Sequence, residues 1–282
     1  MGEGGGVGWV LSFTLPERLL YRFMLQLFEM PIHFSGLTLT PSEKVVLDAA
    51  QERGGIFKAS LHCFRTEDHS GLIVTDGHTA YLLGTIPFTR ETLDLLLDLH
   101  CHTFLCRAAL ITDALSKKKF QLLPKDFAFC RETLSDQEIS QPQGISIRTA
   151  FTEEELNMFH ALKAEFIFEE SGIRIHENIS PRNLREYSSL KPVLLYSDDR
   201  AMGMVSSSLH SSQSAMINML FLKKDARGKG YGSLLLQWYR DYLSKDSSMC
   251  CLFYSPDNAG AKSLYQSQHF IKEENWVMGV RK

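Results

Sequence analysis

An apolar strand runs directly into a glycine-spaced basic turn and then a helix: Ile217-Asn218-Met219-Leu220-Phe221-Leu222-Lys223-Lys224-Asp225-Ala226-Arg227-Gly228-Lys229-Gly230-Tyr231-Gly232-Ser233-Leu234-Leu235-Leu236. This passage constrains the fold more than any other. Gly228, Gly230 and Gly232 let the backbone turn tightly and leave its N–H groups unshielded. The helix that follows directs the positive end of its dipole at the same spot. A pyrophosphate fits such a cradle.

Spacing separates this turn from other phosphate loops. The Walker pattern, Gly, four residues and then Gly-Lys-Ser/Thr, is absent. A dinucleotide fingerprint needs Gly-x-Gly-x-x-Gly after the first strand of a βαβ unit, whereas these glycines alternate and follow the last strand of a hairpin series. Arg227-Gly228-Lys229-Gly230-Tyr231-Gly232 instead resembles the Arg/Gln-x-x-Gly-x-Gly/Ala loop of the GNAT superfamily of coenzyme A-dependent N-acyltransferases. Leu220-Phe221-Leu222 stands where that superfamily places the splayed strand that pairs with pantetheine. Downstream, Met249 to Tyr254 reads as a short buried strand, followed by Asp257-Asn258 and a helix from Ala259 to Gln268. Asn258, Tyr265 and Phe270 match the superfamily's spacing of Asn, helical Tyr and a closing aromatic. Each also has an ordinary reading, Asn258 as an N-cap and Tyr265 as a packing residue.

The rest of the C-terminal half is legible without the resemblance. Ile145 to Arg148 reads as a strand. Thr152 and Glu155 make a capping box for a helix with apolar positions at Leu156, Phe159, Leu162, Phe166 and Ile167. Ser180-Pro181 opens a second short helix. Val193 to Tyr196, Met202 to Ser207 and Met216 to Leu222 are strands separated by polar turns at Asp198-Asp199 and His210 to Gln213. The order is strand, helix, helix, three hairpin-linked strands, helix, strand, helix, strand. The expected class is therefore α/β, an α+β mixed sheet with a GNAT fold in the C-terminal domain and a smaller α/β N-terminal domain.

A chain of 282 residues exceeds the usual domain of about 100 to 150 residues, and 44% hydrophobic content suffices for packed cores. The expected division is an accessory domain over 1–133, a polar linker over 134–144 (Leu134 to Gly144) and an acyltransferase domain over 145–282. In the N-terminal half, Thr40-Pro41 with Glu43 caps a helix that Gly54-Gly55 ends, and Pro16 to Glu29 carries Leu19, Leu20, Phe23 and Leu27 at helical spacing. Leu72 to Leu83 reads as a hairpin around Asp76-Gly77, followed by a helix from about Thr89 to Leu99. That hairpin echoes Val193 to Val205, yet no Arg-x-x-Gly-x-Gly loop follows it. This half reads either as a degenerate GNAT-like domain that cannot bind coenzyme A or as an unrelated α/β accessory domain.

A net charge of −3 gives no reason to expect nucleic acid, and Lys117-Lys118-Lys119 reads as a solvated loop. The apolar stretch Val10 to Leu15 is cut short by Pro16-Glu17-Arg18, so no membrane span or signal segment is expected. Six cysteines without a Cys-x-x-Cys pair suit the reducing cytoplasm. His100-Cys101-His102 with Cys106 lacks a second cluster at zinc spacing, so no metal is expected. Oligomeric state is open.

The resemblance implies acyl transfer from acetyl-CoA, as cosubstrate, to an amine acceptor. It assigns the pyrophosphate to the N–H groups of Gly228, Lys229, Gly230, Tyr231, Gly232 and Ser233, with positive charge from Arg227 and Lys229. Leu220, Phe221 and Leu222 pair with pantetheine, and the Leu222 N–H polarises the thioester carbonyl. Asn258 binds the pantetheine arm. Tyr265, with a free pKa of about 10, protonates the leaving thiolate. The general base departs from the pattern, because Met216 and Phe253 stand where many members carry Glu. The alternatives are Glu169, Glu170 or Glu177 near the helix-to-helix region, or Asn218 holding a water on the strand face of Leu222. The missing Glu positions also leave open a non-catalytic coenzyme A sensor or interaction protein on the same scaffold.

Overall fold

Runs of apolar residues too short for helices, bounded by turn residues, become the strands of one large mixed sheet. The computed structural model describes residues 23–26, 39–48, 62–66, 70–75, 79–86, 89–111, 119–130, 139–172, 174–175, 179, 187, 190–210 and 214–282. In the N-terminal half these form β1 (Phe23–Gln26), helix α1 (41–48), β2 (His62–Thr66), β3 (Gly71–Thr75), β4 (Thr79–Gly84), α2 (Arg90–Asp98), β5 (Thr103–Arg107) and β6 (Phe120–Cys130). The C-terminal half supplies β7 (Ile145–Thr149), α3 (Glu153–Ser171), β8 (Val193–Ser197), β9 (Arg200–His210) and β10 (Ala215–Leu222). It continues with α4 (Tyr231–Ser244), β11 (Cys250–Tyr254), α5 (Ala259–Ser267) and β12 (Ile271–Arg281).

Local chemistry accounts for the element ends. Thr152 accepts from the Glu155 N–H at 3.2 Å while Glu155 accepts from the Thr152 N–H at 3.1 Å, closing the expected capping box. Gly172 ends α3 in the left-handed region. Asp198 and Asp199 both take positive φ between β8 and β9, as a two-residue hairpin turn demands. The helical spacing expected from Pro16 to Glu29 is corrected where it is described: Phe23–Gln26 is a strand paired with β2. Ladder hydrogen bonds to a neighbouring strand override local periodicity. The second short helix expected at Ser180-Pro181 and the Asp76-Gly77 turn lie outside the described residues.

The twelve strands run in the order β1-β2-β3-β4-β5-β12-β6-β11-β10-β9-β8-β7. Two neighbour pairs are parallel, β4 with β5 and β10 with β11, bridged by α2 and α4. The order reads as the same pattern from either end, with the last strands of the two halves exchanged. β12 pairs with β5, and β6 lies between β12 and β11. The break in sequence at residues 134–144 is therefore not a break in the sheet. β3 and β4 are buried throughout, because helices cover both faces. α2, α4 and α5 pack on one face; α1 and α3 pack on the other.

Candidate active site

The parallel pair β10 and β11 separates part-way along. Their partners are Ala215 with Cys250, Met216 with Cys251 and Ile217 with Leu252, and no further. β10 then continues to Leu222 on β9, while β11 continues to Tyr254 on β6. A β-bulge drives the split: Ile217 faces Ser207 and Met219 faces Ser206, so Asn218 has no partner on β9. The bulge also corrects the expected parity. Met216, Met219 and Phe221 pack on the face of α1 and α3, whereas Ile217, Leu220 and Leu222 pack toward α4, so alternation does not carry from Asn218 to Leu222. Asn218 nonetheless lines the gap.

The gap is a cavity of about 670 Å³ bounded by Leu220, Phe221 and Leu222 on one side and by Phe253 to Ser255 on the other. Strand alternation aims backbone groups into it. The Lys223 N–H donates to the Met202 carbonyl at 2.9 Å, toward β9, so the Leu222 N–H points the opposite way, into the gap.

At one end of the cavity lies the glycine turn. Gly228 and Gly230 have φ of 73° and 81°, and a Cβ at either would meet nothing within 4 Å. Left-handed backbone here needs glycine, and it faces open space. Gly230 is the N-cap of α4 and brings no side-chain cap, while the first turn holds no acidic residue. The opening N–H groups of α4 are thus left for an outside acceptor.

The residues expected on this loop divide. Arg227, Gly228, Gly230, Gly232 and Ser233 line the cavity; Lys229 and Tyr231 are not among its wall residues. Arg227 is already engaged: its Nε donates to the Leu222 carbonyl at 2.8 Å and its Nη2 to Glu169 Oε2 at 2.7 Å. It braces the turn against α3.

On the opposite wall, Asn258 caps α5, its Oδ1 accepting from the Ala261 N–H at 3.0 Å. Its amide NH2 is not spent on that cap, and the residue borders the cavity. Tyr265 also borders it, 9% exposed and packed against Tyr254 and Phe270. Burial first, then the nearby Glu170 carboxylate and Tyr254, push its phenol up to about 12. The proton is therefore held firmly at neutral pH.

Met216 and Phe253, at the positions where a Glu was sought, are apolar packing residues. Phe253 lies against Phe127 and Trp276 at ring separations of 5.1 and 5.4 Å. Of the candidate carboxylates, Glu169 and Glu170 line the cavity. Glu169 is held by Arg227, and none of the described ion pairs involves Glu170. Glu177 lies outside the described residues. Among the described residues, the one charged cavity residue that the sequence reading did not single out is Lys125, on the exchanged strand β6. Its only signal was a lysine interrupting the apolar run from Phe120 to Cys130.

The corresponding place in the N-terminal half is closed. β4 and β5 stay paired from Thr79 with Thr103 to Leu82 with Cys106. Arg107 then ties the strand ends by donating from Nη2 to the Gly84 carbonyl at 2.9 Å. Thr89 caps α2, its hydroxyl accepting from the Thr92 N–H at 3.3 Å. Among the described residues there, neither a gap nor an uncapped helix end is present. Cys101 and Cys106 are buried in this half's core, Cys101 beside Thr75 at 3.4 Å. No helix among the described residues is long and apolar enough to cross a membrane.

Residues 156–270 match the sequence model of the Acetyltransferase (GNAT) family. No curated protein matches the sequence. Among solved structures, the chain is similar to a GCN5-related N-acetyltransferase from Sphaerobacter thermophilus, at a TM-score of 0.53 and 12% identity over 84% of this chain and 90% of that one. A GCN5-related N-acetyltransferase from Kribbella flavida aligns at 0.54 and 12% over 84% and 95%. A Drosophila protein aligns at 0.58 and 11% over 84% and 89%. At these identities the likeness is one of fold, and it extends across both halves of the sheet.

Proposed function

We propose that this chain, whose residues 156–270 match the Acetyltransferase (GNAT) family model, transfers an acetyl or short acyl group from acetyl-CoA to a primary amine by direct attack in a ternary complex. One observation carries the reading: β10 and β11 part after Ile217, and the gap ends on the uncapped N-terminus of α4 at a left-handed glycine turn. An extended arm with a pyrophosphate at its end fits that shape.

Acetyl-CoA supplies the acyl group on a thiolate leaving group. The N–H groups from Gly228 to Ser233 hold its pyrophosphate, with Arg227 keeping the turn rigid rather than serving as a free cation. The backbone edge of Leu220 to Leu222, apart from the Leu222 carbonyl that accepts from Arg227, pairs with pantetheine, and the Asn258 amide donates to the same arm. The Leu222 N–H donates to the reacting carbonyl oxygen. As the amine nitrogen bonds to the acyl carbon and the carbon–sulfur bond breaks, Glu170 takes the ammonium proton and Tyr265 gives its phenol proton to the sulfur.

We read the N-terminal half as a GNAT-like unit whose cleft is sealed. Its topology and the Arg107 closure support that division of labour. The buried thiols of Cys101, Cys106, Cys130, Cys250 and Cys251 support a reducing cytoplasm.

Calorimetric titration with acetyl-CoA tests the reading, with free CoA as competitor and Gly230→Glu as control. Binding in the micromolar range that the variant loses supports the site. A folded protein that binds neither ligand overturns it.

A further inference from the structure

Two cavities meet on the sheet face that carries α1 and α3, and they share Lys125, Asn218 and Phe253. The first is the cleft between β10 and β11. The second, about 310 Å³, lies over β4, β5 and β12 and so belongs largely to the N-terminal half. Its wall is apolar at Val46, Tyr81, Leu105, Met216 and Met278. Thr79 and Thr103 add hydroxyls that bond to each other at 2.9 Å. Among the described residues of this wall, only Lys125 carries a charge.

Strand exchange puts Lys125 there. It sits opposite Trp276 on β12, one residue beyond the Asp126–Tyr254 pair that ends β11, so no β11 residue pairs with it. Neighbouring Asp126 is engaged by Lys272 at 2.8 Å. None of the described ion pairs includes Lys125. A half-buried ammonium group at the mouth of an apolar cavity, without a carboxylate, is stabilised by an anion brought from outside.

We propose that the acceptor is an α-amino acid with a large apolar side chain, its carboxylate paired with Lys125 and its side chain in the second cavity. This rests on the acetyltransferase reading above. The position of Lys125 at the junction sets the chemistry. The amine must reach the cleft of Leu222 and Tyr265 while the anion stays at the junction and the apolar part turns away over Phe253. Amine, carboxylate and side chain on one carbon meet all three demands. The N-terminal half thereby shapes specificity without binding the cofactor.

The test compares phenylalanine with phenylalaninol, which keeps the amine and ring and replaces the carboxylate by CH2OH. The wild-type chain is expected to favour phenylalanine in kcat/KM by about ten- to a hundredfold, the value of one charge-assisted pair. Lys125→Met brings that ratio near one, and Lys125→Arg preserves it. Without turnover, phenylalanine binding to the CoA-saturated protein weakens by a similar factor in Lys125→Met. If acetyl-CoA binds yet phenylalanine and phenylalaninol react equally, or phenylalanine neither binds nor reacts, this inference alone is overturned. If acetyl-CoA does not bind, the acetyltransferase reading fails and this inference falls with it.

Discussion

Arg107 donates from Nη2 to the Gly84 carbonyl at 2.9 Å, joining the ends of β4 and β5 at the position that corresponds to the one where β10 and β11 have already parted. The same guanidinium lies 2.8 Å from Glu43, a carboxylate with no exposed side-chain surface. Glu43 in turn accepts from the Gly84 N–H at 2.8 Å and the Thr40 N–H at 2.9 Å. α1, β4 and β5 are thus held at one point, and the N-terminal cleft stays shut.

Removing Arg107 leaves the Glu43 charge buried without its cation. Arg107→Ala is expected to lower stability by about 3 kcal/mol, the usual cost of breaking a buried pair, read as a shifted urea midpoint. Acetyl-CoA affinity of the folded variant should not move, since the cleft proposed for the cofactor lies between β10 and β11. Loss of that affinity at unchanged stability would mean that the N-terminal half takes part in cofactor binding.

With Tyr265 as the proposed acid, the alkaline side of the pH profile is set by its phenol. Its phenol is pushed up to about 12, so it stays protonated, and able to act as acid, across the working range. kcat/KM should rise with pH as the acceptor amine loses its proton and then stay level to about pH 11. Tyr265→Phe should lower turnover about a hundredfold with acetyl-CoA affinity retained. A wild-type rate that declines between about pH 8 and 9 would assign the acid to another group.

The local features of this site were open to reading; the long-range ones were not. The glycines at 228, 230 and 232, the Thr152–Glu155 capping box and the spacing from Asn258 to Tyr265 follow from contacts a few residues apart. The place of β6 between β11 and β12 depends on partners far away in sequence, and an apolar run such as Phe120 to Cys130 does not name its neighbours. Lys125 was hidden for that reason. Asn218 was misjudged for another: strand parity assumes an unbroken ladder, and one bulged residue reverses every face beyond it.

Thiol chemistry should be silent in the folded state. Burial, above all other influences, pushes the Cys106 and Cys250 thiols up to about 12, so near pH 8 both remain protonated and inaccessible. Iodoacetamide followed by peptide mass spectrometry should find both unmodified natively and both alkylated in urea. Native alkylation of either would show that the core around β5 or β11 opens.

Gly203 determines how closely β9 approaches the residues that shape the cleft. A Cβ there would overlap Leu222 Cδ2 and stand 3.0 Å from the Phe221 carbonyl oxygen. The Leu222 side chain cannot retreat freely, because it also packs near Gly232 at the start of α4. Gly203→Val should therefore shift the Phe221-Leu222 edge toward the gap as well as destabilise the chain by about 1–3 kcal/mol, the range for overpacking. Because the displaced edge is the one assigned to pantetheine and to the reacting carbonyl, KM for acetyl-CoA should rise and kcat fall in the folded variant. KM for the acceptor, bound beyond Asn218 and Phe253, should change least. Steady-state kinetics with each substrate varied in turn separates these effects. A variant that loses stability but keeps wild-type acetyl-CoA kinetics would remove the Leu222 edge from the cofactor site.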